Sequence, residues 1–501
     1  MTNHKKQSLV SFVFALCLLL LLCSEPVLAD STKTKSKSPS ADKISANNSA
    51  TTSLITIGDF ARTEIKHLQR VDLRHLGLPL VNEIPANNSA ITSLITASDG
   101  KIYGGTSGIY AGDEAYLFFF DPVINKVRHL GKIKDQGGIH HSLVEDKNGY
   151  IYIGTGKSIF AEFQMHQYGP GHPTNPNEDL IDWDKFDTRN YPDHVRYEWK
   201  NVHGVMGYQY VDLILWNDIK NHFKDYPGGR LYRYNPEKSN RHVKLTDMEC
   251  EAEDLGIPVP GNSIYSLTIS PEGDVIYGLS YPDGHLFIYD IANDQFKDIG
   301  EIDQEVTFHG PERNWRSLPR ALICDDTGRV YTSSTNGQII CFLPDLVKIV
   351  PTGLFIPTDY YHTHISTDYA VVEYFAKDSS GLIYGGSSDG FLFSFNPDPQ
   401  NMQLINLGKI RAPRRLRCLT VGKDGKVYFI AGLRSTSRVC QFYSYNPQSG
   451  GFEALGLLIA DRSPYYYWRG YQFDSMTTGI DGTIFIGESE RRSHLFLYTP
   501  Q

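Results

Sequence analysis

The sequence predicts an all-β fold, a seven-bladed β-propeller of four-stranded antiparallel blades, and three observations predict it. One phrase of strands and turns returns seven times after residue 90. Each return sets short runs rich in Ile, Val, Tyr and Phe between Gly and Asp/Asn turns, which is the composition of antiparallel sheet. No long stretch carries a helical period, and four strands per unit at roughly fifty residues is the spacing of propeller blades.

In chain order, His4, Lys5 and Lys6 form a charged start, an apolar run follows from Leu9 to Leu22, and Val27-Leu28-Ala29 offers small residues for cleavage. The pattern predicts a signal peptide over 1–29, cut after Ala29, and a secreted or periplasmic protein. The run is short for a membrane span, and no later run is long enough to be one. Residues 30–58 are Ser, Thr, Lys, Asn and Ala, which predicts a flexible tether before a domain at 59–501. The phrase ANNSATTSLIT (46–56) recurs as ANNSAITSLIT (86–96), the mark of a local duplication.

Seven first strands are expected at 93–100, 142–149, 266–273, 321–328, 374–381, 418–425 and 475–482. The second strands follow at once as KIYGG, YIYIG, DVIYG, RVYTS, LIYGG, KVYFI and TIFIG. Third strands such as YLFFFDP, FLFSFNP and HLFLYTP end in an Asp/Asn-Pro turn, and weaker fourth strands end in Leu-Gly. A large insertion, 156–229, interrupts the second blade. After HLFLYTP no fourth strand follows, while RVDLRHLG (70–77) matches the fourth strand of the first blade, KVRHLG. This segment is therefore expected to pair with the strand ending at Tyr498 and close the ring, removing two sheet edges. The repeats resemble the group of propellers that includes kelch, YVTN and streptogramin-lyase repeats. The resemblance implies a fold over about 430 residues and leaves function open.

Net charge is −9 over 501 residues, which argues against nucleic acid as a partner. The five cysteines beyond the signal (Cys250, Cys324, Cys341, Cys418, Cys440) show neither a disulfide framework nor a metal pair, and read as core thiols.

The residue just before each first strand should point to the axis on one face. These are Thr92, His141, Tyr265, Arg320, Glu373, Arg417 and Asp474, and six of the seven are ionisable or phenolic. Loops on the same face carry all five tryptophans, Trp183, Trp199, Trp216, Trp315 and Trp468, with Arg316, Tyr361, Arg415 and Arg469 among them. Aromatic faces stack sugar rings and arginine forks grip carboxylate or sulfate, so these residues are candidate binders of an acidic polysaccharide. The same set also suits a protein partner. His141, Tyr265, Arg320 and Arg417 are the candidate catalytic residues, against the plain alternative that the two arginines pair with Glu373 and Asp474 across the channel. A divalent metal ion is an open cofactor option, with His309, His362 and His364 as candidate ligands.

The leading expectation is a polysaccharide lyase acting by β-elimination on a uronic-acid-containing polymer. Arg320 and Arg417 would neutralise the carboxylate, His141 would take the C5 proton, and Tyr265 would protonate the departing oxygen. Propellers among the ulvan and oligogalacturonate lyases use related His, Tyr and Arg sets. The chain resembles them in architecture and residue type, and no motif aligns, so the resemblance assigns no residue. The alternatives are a non-catalytic glycan- or protein-binding propeller and a small-molecule lyase of streptogramin-lyase type, which would want bound magnesium.

Overall fold

The structure, a computed structural model, describes residues 68–72, 84, 88–108, 112, 114–157, 223–238, 249–303, 318–357, 370–388, 390–409, 416–431, 440–462, 466–469, 472–489 and 493–500, with the backbone alone at 68–72, 459–462 and 466–469. All belong to the second of two units into which the chain divides, Leu54–Gln501.

Seven four-stranded antiparallel sheets follow one another along this unit. Their inner strands are Ala90–Thr96, Leu143–Glu145, Ser263–Ile269, Ile323–Cys324, Val372–Lys377, Leu416–Val421 and Phe473–Thr478, for blades 1 to 7. The turn after each inner strand is held locally. In blade 2, Asp146 Oδ1 accepts the amides of Asn148 and Tyr150, each at 2.9 Å. The glycine that follows Leu or Ile near the end of the outer strands is also explained by backbone geometry. Gly256, Gly300, Gly408 and Gly456 take φ between 97° and 127° beside a register shift between the third and fourth strands. Only glycine enters that region without strain, so the bulge fixes the residue.

The core is distributed between the blades. Buried apolar clusters sit at each of the seven junctions, for example Tyr265, Leu279 and Leu286 of blade 3 against Cys324, Val330 and Phe342 of blade 4. Phe485, Leu495 and Leu497 of blade 7 pack on Ile91, Phe118 and Phe120 of blade 1, which joins the end of the repeat to its beginning. Small hydroxyls stitch the inner strands together. Ser475 Oγ donates to the Ile91 carbonyl at 3.0 Å, and Ser266 and Ser333 accept the amides of Leu322 and Val372 at 3.2 and 3.0 Å.

The fourth strand of blade 7 is Leu68–Asp72, paired antiparallel with His494–Tyr498 in the register Leu68↔Tyr498. It begins two residues before the segment 70–77 expected from the sequence, and residues 73–77 lie outside the described residues. The stretch before blade 7, expected as a loop, holds a two-stranded hairpin, Ile459–Arg462 with Tyr466–Arg469. Cys324, Cys341, Cys418 and Cys440 are buried free thiols, and Cys250 is partly buried. No helix among the described residues is long and apolar enough to cross a membrane.

Candidate functional site at the axial mouth

The inner strands begin earlier than the sequence suggested, and the difference builds the site. Ala90–Thr96 starts before Ser93, Ser263–Ile269 before Ser266, and likewise in blades 5, 6 and 7. The residues expected to precede these strands lie inside them, each at a register shift: Thr92, Tyr265, Glu373, Arg417 and Asp474. A bulge leaves one residue unpaired and re-aims its side chain. Five blades use this device at the equivalent position. In the other two, His141 and Arg320 stand just ahead of shorter strands, tied to the next blade by backbone bonds. Leu267 N donates to the His141 carbonyl at 3.1 Å, and Arg320 N to the Val372 carbonyl at 2.9 Å.

Four of these side chains form one buried charge network. Arg417 Nη1 lies 2.5 Å from Asp474 Oδ1. Arg320 Nε lies 3.3 Å from Glu373 Oε2, and its Nη1 lies 4.0 Å from Asp474 Oδ1. Gln472 Nε2 donates to the second Asp474 oxygen at 3.1 Å. Two cations thus meet two carboxylates, and the contacts run from blade 4 to blades 5 and 7 and from blade 6 to blade 7. Burial works to raise the Asp474 carboxyl, but Arg417 and Arg320 overcome it and hold the group well below the usual carboxylate range. Burial also opposes the charge on Arg417, yet Asp474 and Glu373 raise it.

His141 faces this network with part of its surface open, and its ring meets the Tyr374 ring edge-on at 5.4 Å. Its Nδ1 is buried and makes no hydrogen bond among the described residues. Burial pushes its pKa down to about 4, with the arginines helping and Asp474 and Glu373 opposing. Desolvation is the larger cause, and the arginines add to it. Its neighbour His140 is fully covered, bonds the Lys157 carbonyl through Nε2 at 3.0 Å, and is pushed down to about 3 by burial and by His141. Both imidazoles are therefore neutral near pH 7.

Tyr265 is 4% exposed, stacked on Tyr281 at 5.0 Å with the Arg320 guanidinium 5.8 Å from its ring centre. It belongs to the junction between blades 3 and 4 and packs 5.5 Å from the His140 ring. Of the four candidates, His141 and Arg417 keep a share of open surface, while Tyr265 and Arg320 are buried.

Tyr374 and Gln472 escaped the sequence argument. Six blades begin their core strand with Ser, Ala or Cys (Ser93, Ser142, Ser266, Ala321, Cys418, Ser475), and blade 5 has Tyr374 there. That break in the repeat was the available signal. The ring crosses the axis to His141, and its hydroxyl donates to the Met476 carbonyl of blade 7 at 3.3 Å. Gln472 had no signal in the repeat.

Trp183, Trp199, Trp216, Trp315, Arg316, Tyr361 and Arg415 lie outside the described residues, as do His309, His362 and His364. Trp468 and Arg469 lie on the second strand of the hairpin before blade 7, where the backbone alone is described. Among the described residues no three of His, Cys, Asp or Glu converge as a metal site.

No family model matches the chain, and no curated protein matches it. Among solved structures it is similar to a fungal alcohol oxidase of the AA5 family in complex with copper, at 12% identity and a TM-score of 0.50, over 83% of this chain and 75% of that one. It is also similar to the extracellular domain of a one-component system of B. thetaiotaomicron, at 11% identity and a TM-score of 0.47, over 86% of this chain and only 40% of that one. The β-propeller domain of Cps50 (Swd1) from Myceliophteria thermophila aligns at 9% identity and a TM-score of 0.45, over 82% and 97% of the two chains. At such identities the likeness is one of fold alone: the chain is a seven-bladed β-propeller.

Proposed function

We propose that this is a secreted or periplasmic lyase that cleaves a uronic-acid-containing polysaccharide by β-elimination at the axial mouth. The observation that carries the reading is the setting of His141. It is a neutral imidazole, half-buried as a residue, whose buried Nδ1 finds no hydrogen-bond partner among the described residues, and two guanidiniums stand in the network it faces. A buried polar atom left without a partner calls for an explanation, and a proton-transfer role is one. In the reaction, His141 takes the C5 proton. The C5–H electrons form the C4–C5 double bond, and the C4–O bond breaks toward the departing sugar, whose oxygen gains a proton. Arg417, the more open arginine, meets the substrate carboxylate as it gains enolate character. Asp474 and Glu373 fix the two guanidiniums in place. Tyr265, buried in the junction between blades 3 and 4, is assigned the proton to the leaving oxygen in this scheme.

The charge balance of the network favours a second reading. Each arginine is already answered by a carboxylate, so the ring is neutral, which suits a rigid platform for a glycan or protein partner. The discriminating experiment incubates the purified protein with a panel of acidic polysaccharides and follows ultraviolet absorbance. The lyase reading expects unsaturated products from at least one uronic-acid polymer. Binding without absorbance on any of them would hand the site to the second reading.

A further inference from the structure

A cavity of about 620 Å3 opens between blades 2 and 3. It is lined by the turns that follow the inner strands (Lys147, Asn148, Gly273, Asp274) and by those between third and fourth strands (Asn235, Lys238, Ile291, Ala292). In an antiparallel blade these turns share one end of the sheet, and His141, Arg320 and Arg417 sit at the other. The cavity is thus on the face opposite the axial mouth.

Arg233 on the cavity wall is paired with exposed carboxylates. Arg233 donates through Nε and Nη2 to Glu253 at 3.0 and 2.8 Å, has Asp294 3.5 Å from Nη1, and lies 5.9 Å from the centre of the Tyr150 ring. Asp274 accepts the Ser270 hydroxyl at 2.7 Å. The wall therefore carries a guanidinium paired with two exposed carboxylates beside an aromatic ring. At the rim, Lys147 and Lys238 are exposed and form no ion pair among the described residues, with Glu251 as the opposing rim carboxylate. The volume lies in the range of small-molecule sites, roughly 300–1,000 Å3.

We propose that this cavity is a second saccharide site, which takes an anionic oligosaccharide with its acid group between Lys147 and Lys238 and its hydroxyls against Asn148, Asn235 and Asp274. A polyol fits the closely spaced donors and acceptors of both signs, and the two lysines select an acidic one. The proposal shares its ligand class with the lyase reading and uses a different face.

The test is calorimetric titration of the whole protein with a galacturonate tetramer and a chondroitin sulfate tetramer. The expected isotherm has two steps for at least one probe. In the Lys147→Ala/Lys238→Ala variant one step should weaken tenfold or more, and that step should fade with added salt in the wild type. Both substitutions are at exposed positions away from the core, and a melting curve matching the wild type establishes that the variant is folded. An isotherm unchanged by the double substitution overturns the proposal, as does the absence of binding by either probe. The lyase reading is judged separately, by absorbance of the wild type. Absorbance without a lysine-dependent step sinks the second site alone, and a lysine-dependent step without absorbance sinks the lyase alone.

Discussion

Asp474 joins both arginines of the axial network, and its loss is expected to be felt in stability before function. Asp474→Asn removes the charge that answers Arg417 at 2.5 Å and Arg320 at 4.0 Å inside a buried cluster. Breaking one partner of a buried pair costs about 3–5 kcal/mol. The urea midpoint should fall accordingly, and an unchanged midpoint would show that water reaches and screens the network. The histidines set a pH dependence with a definite sign. Both are driven below the ordinary value of about 6.5, His141 to about 4 and His140 to about 3. Between those limits the unfolded chain binds protons that the folded chain refuses. Their contribution is complete above pH ~6.5 and is lost on acidification, by up to about 1.4 kcal/mol per pH unit for each histidine. Urea unfolding at pH 7 and pH 5 checks this: stability should drop, and less so in a His140→Gln/His141→Gln variant. The identities of the axial residues were legible because the repeat aligns them. That the two arginines pair with Glu373 and Asp474 was legible as the plain alternative; which arginine meets which carboxylate was not, since that depends on distances across the axis that no single blade encodes.

Elements were legible where the backbone restricts the residue, and less so where packing decides. Turn aspartates, Leu-Gly bulges and the apolar alternation of inner strands announce themselves in sequence. The bulges at Thr92, Tyr265, Glu373, Arg417 and Asp474 do not, because an extra residue in a strand leaves no compositional trace, and so the strands were expected to start late. The hairpin at Ile459–Arg462 and Tyr466–Arg469 reads as a run of Arg and Tyr with no turn glycine. Close approach within a blade gives an element-level prediction. A Cβ on Gly278 would come 2.1 Å from Phe287 Cζ, and the same clash recurs at Gly104 with Phe118 and at Gly385 with Phe393. Gly278→Ala should therefore cost about 1–3 kcal/mol by overpacking, measured as a loss in melting temperature. A Phe287→Leu change in the same chain should recover part of that loss; a neutral Gly278→Ala would mean the third strand is free to move outward.

At the scale of the molecule, stability depends on closing the ring. Each blade buries its faces only against its neighbours, so an opened junction exposes apolar surface on both sides. Removing residues 59–80 takes away Leu68–Asp72 and leaves the strand His494–Tyr498 as a bare edge. Such an edge pairs with other chains, so the truncated protein should melt earlier and aggregate, as read by scanning calorimetry and light scattering. A truncated protein as soluble and stable as the full chain would mean that the last blade stands on three strands. The ring also makes the function hypothesis sharp, since it brings His141 of blade 2 to the charges of blades 4 to 7. The most direct measurement is to compare wild type and His141→Ala on one acidic polysaccharide, reading product absorbance and binding in parallel. The account predicts that turnover is lost by a factor of about 10² or more while affinity stays within a few-fold. Full turnover in the His141→Ala protein, or no turnover by the wild type on any uronic-acid polymer, would contradict it.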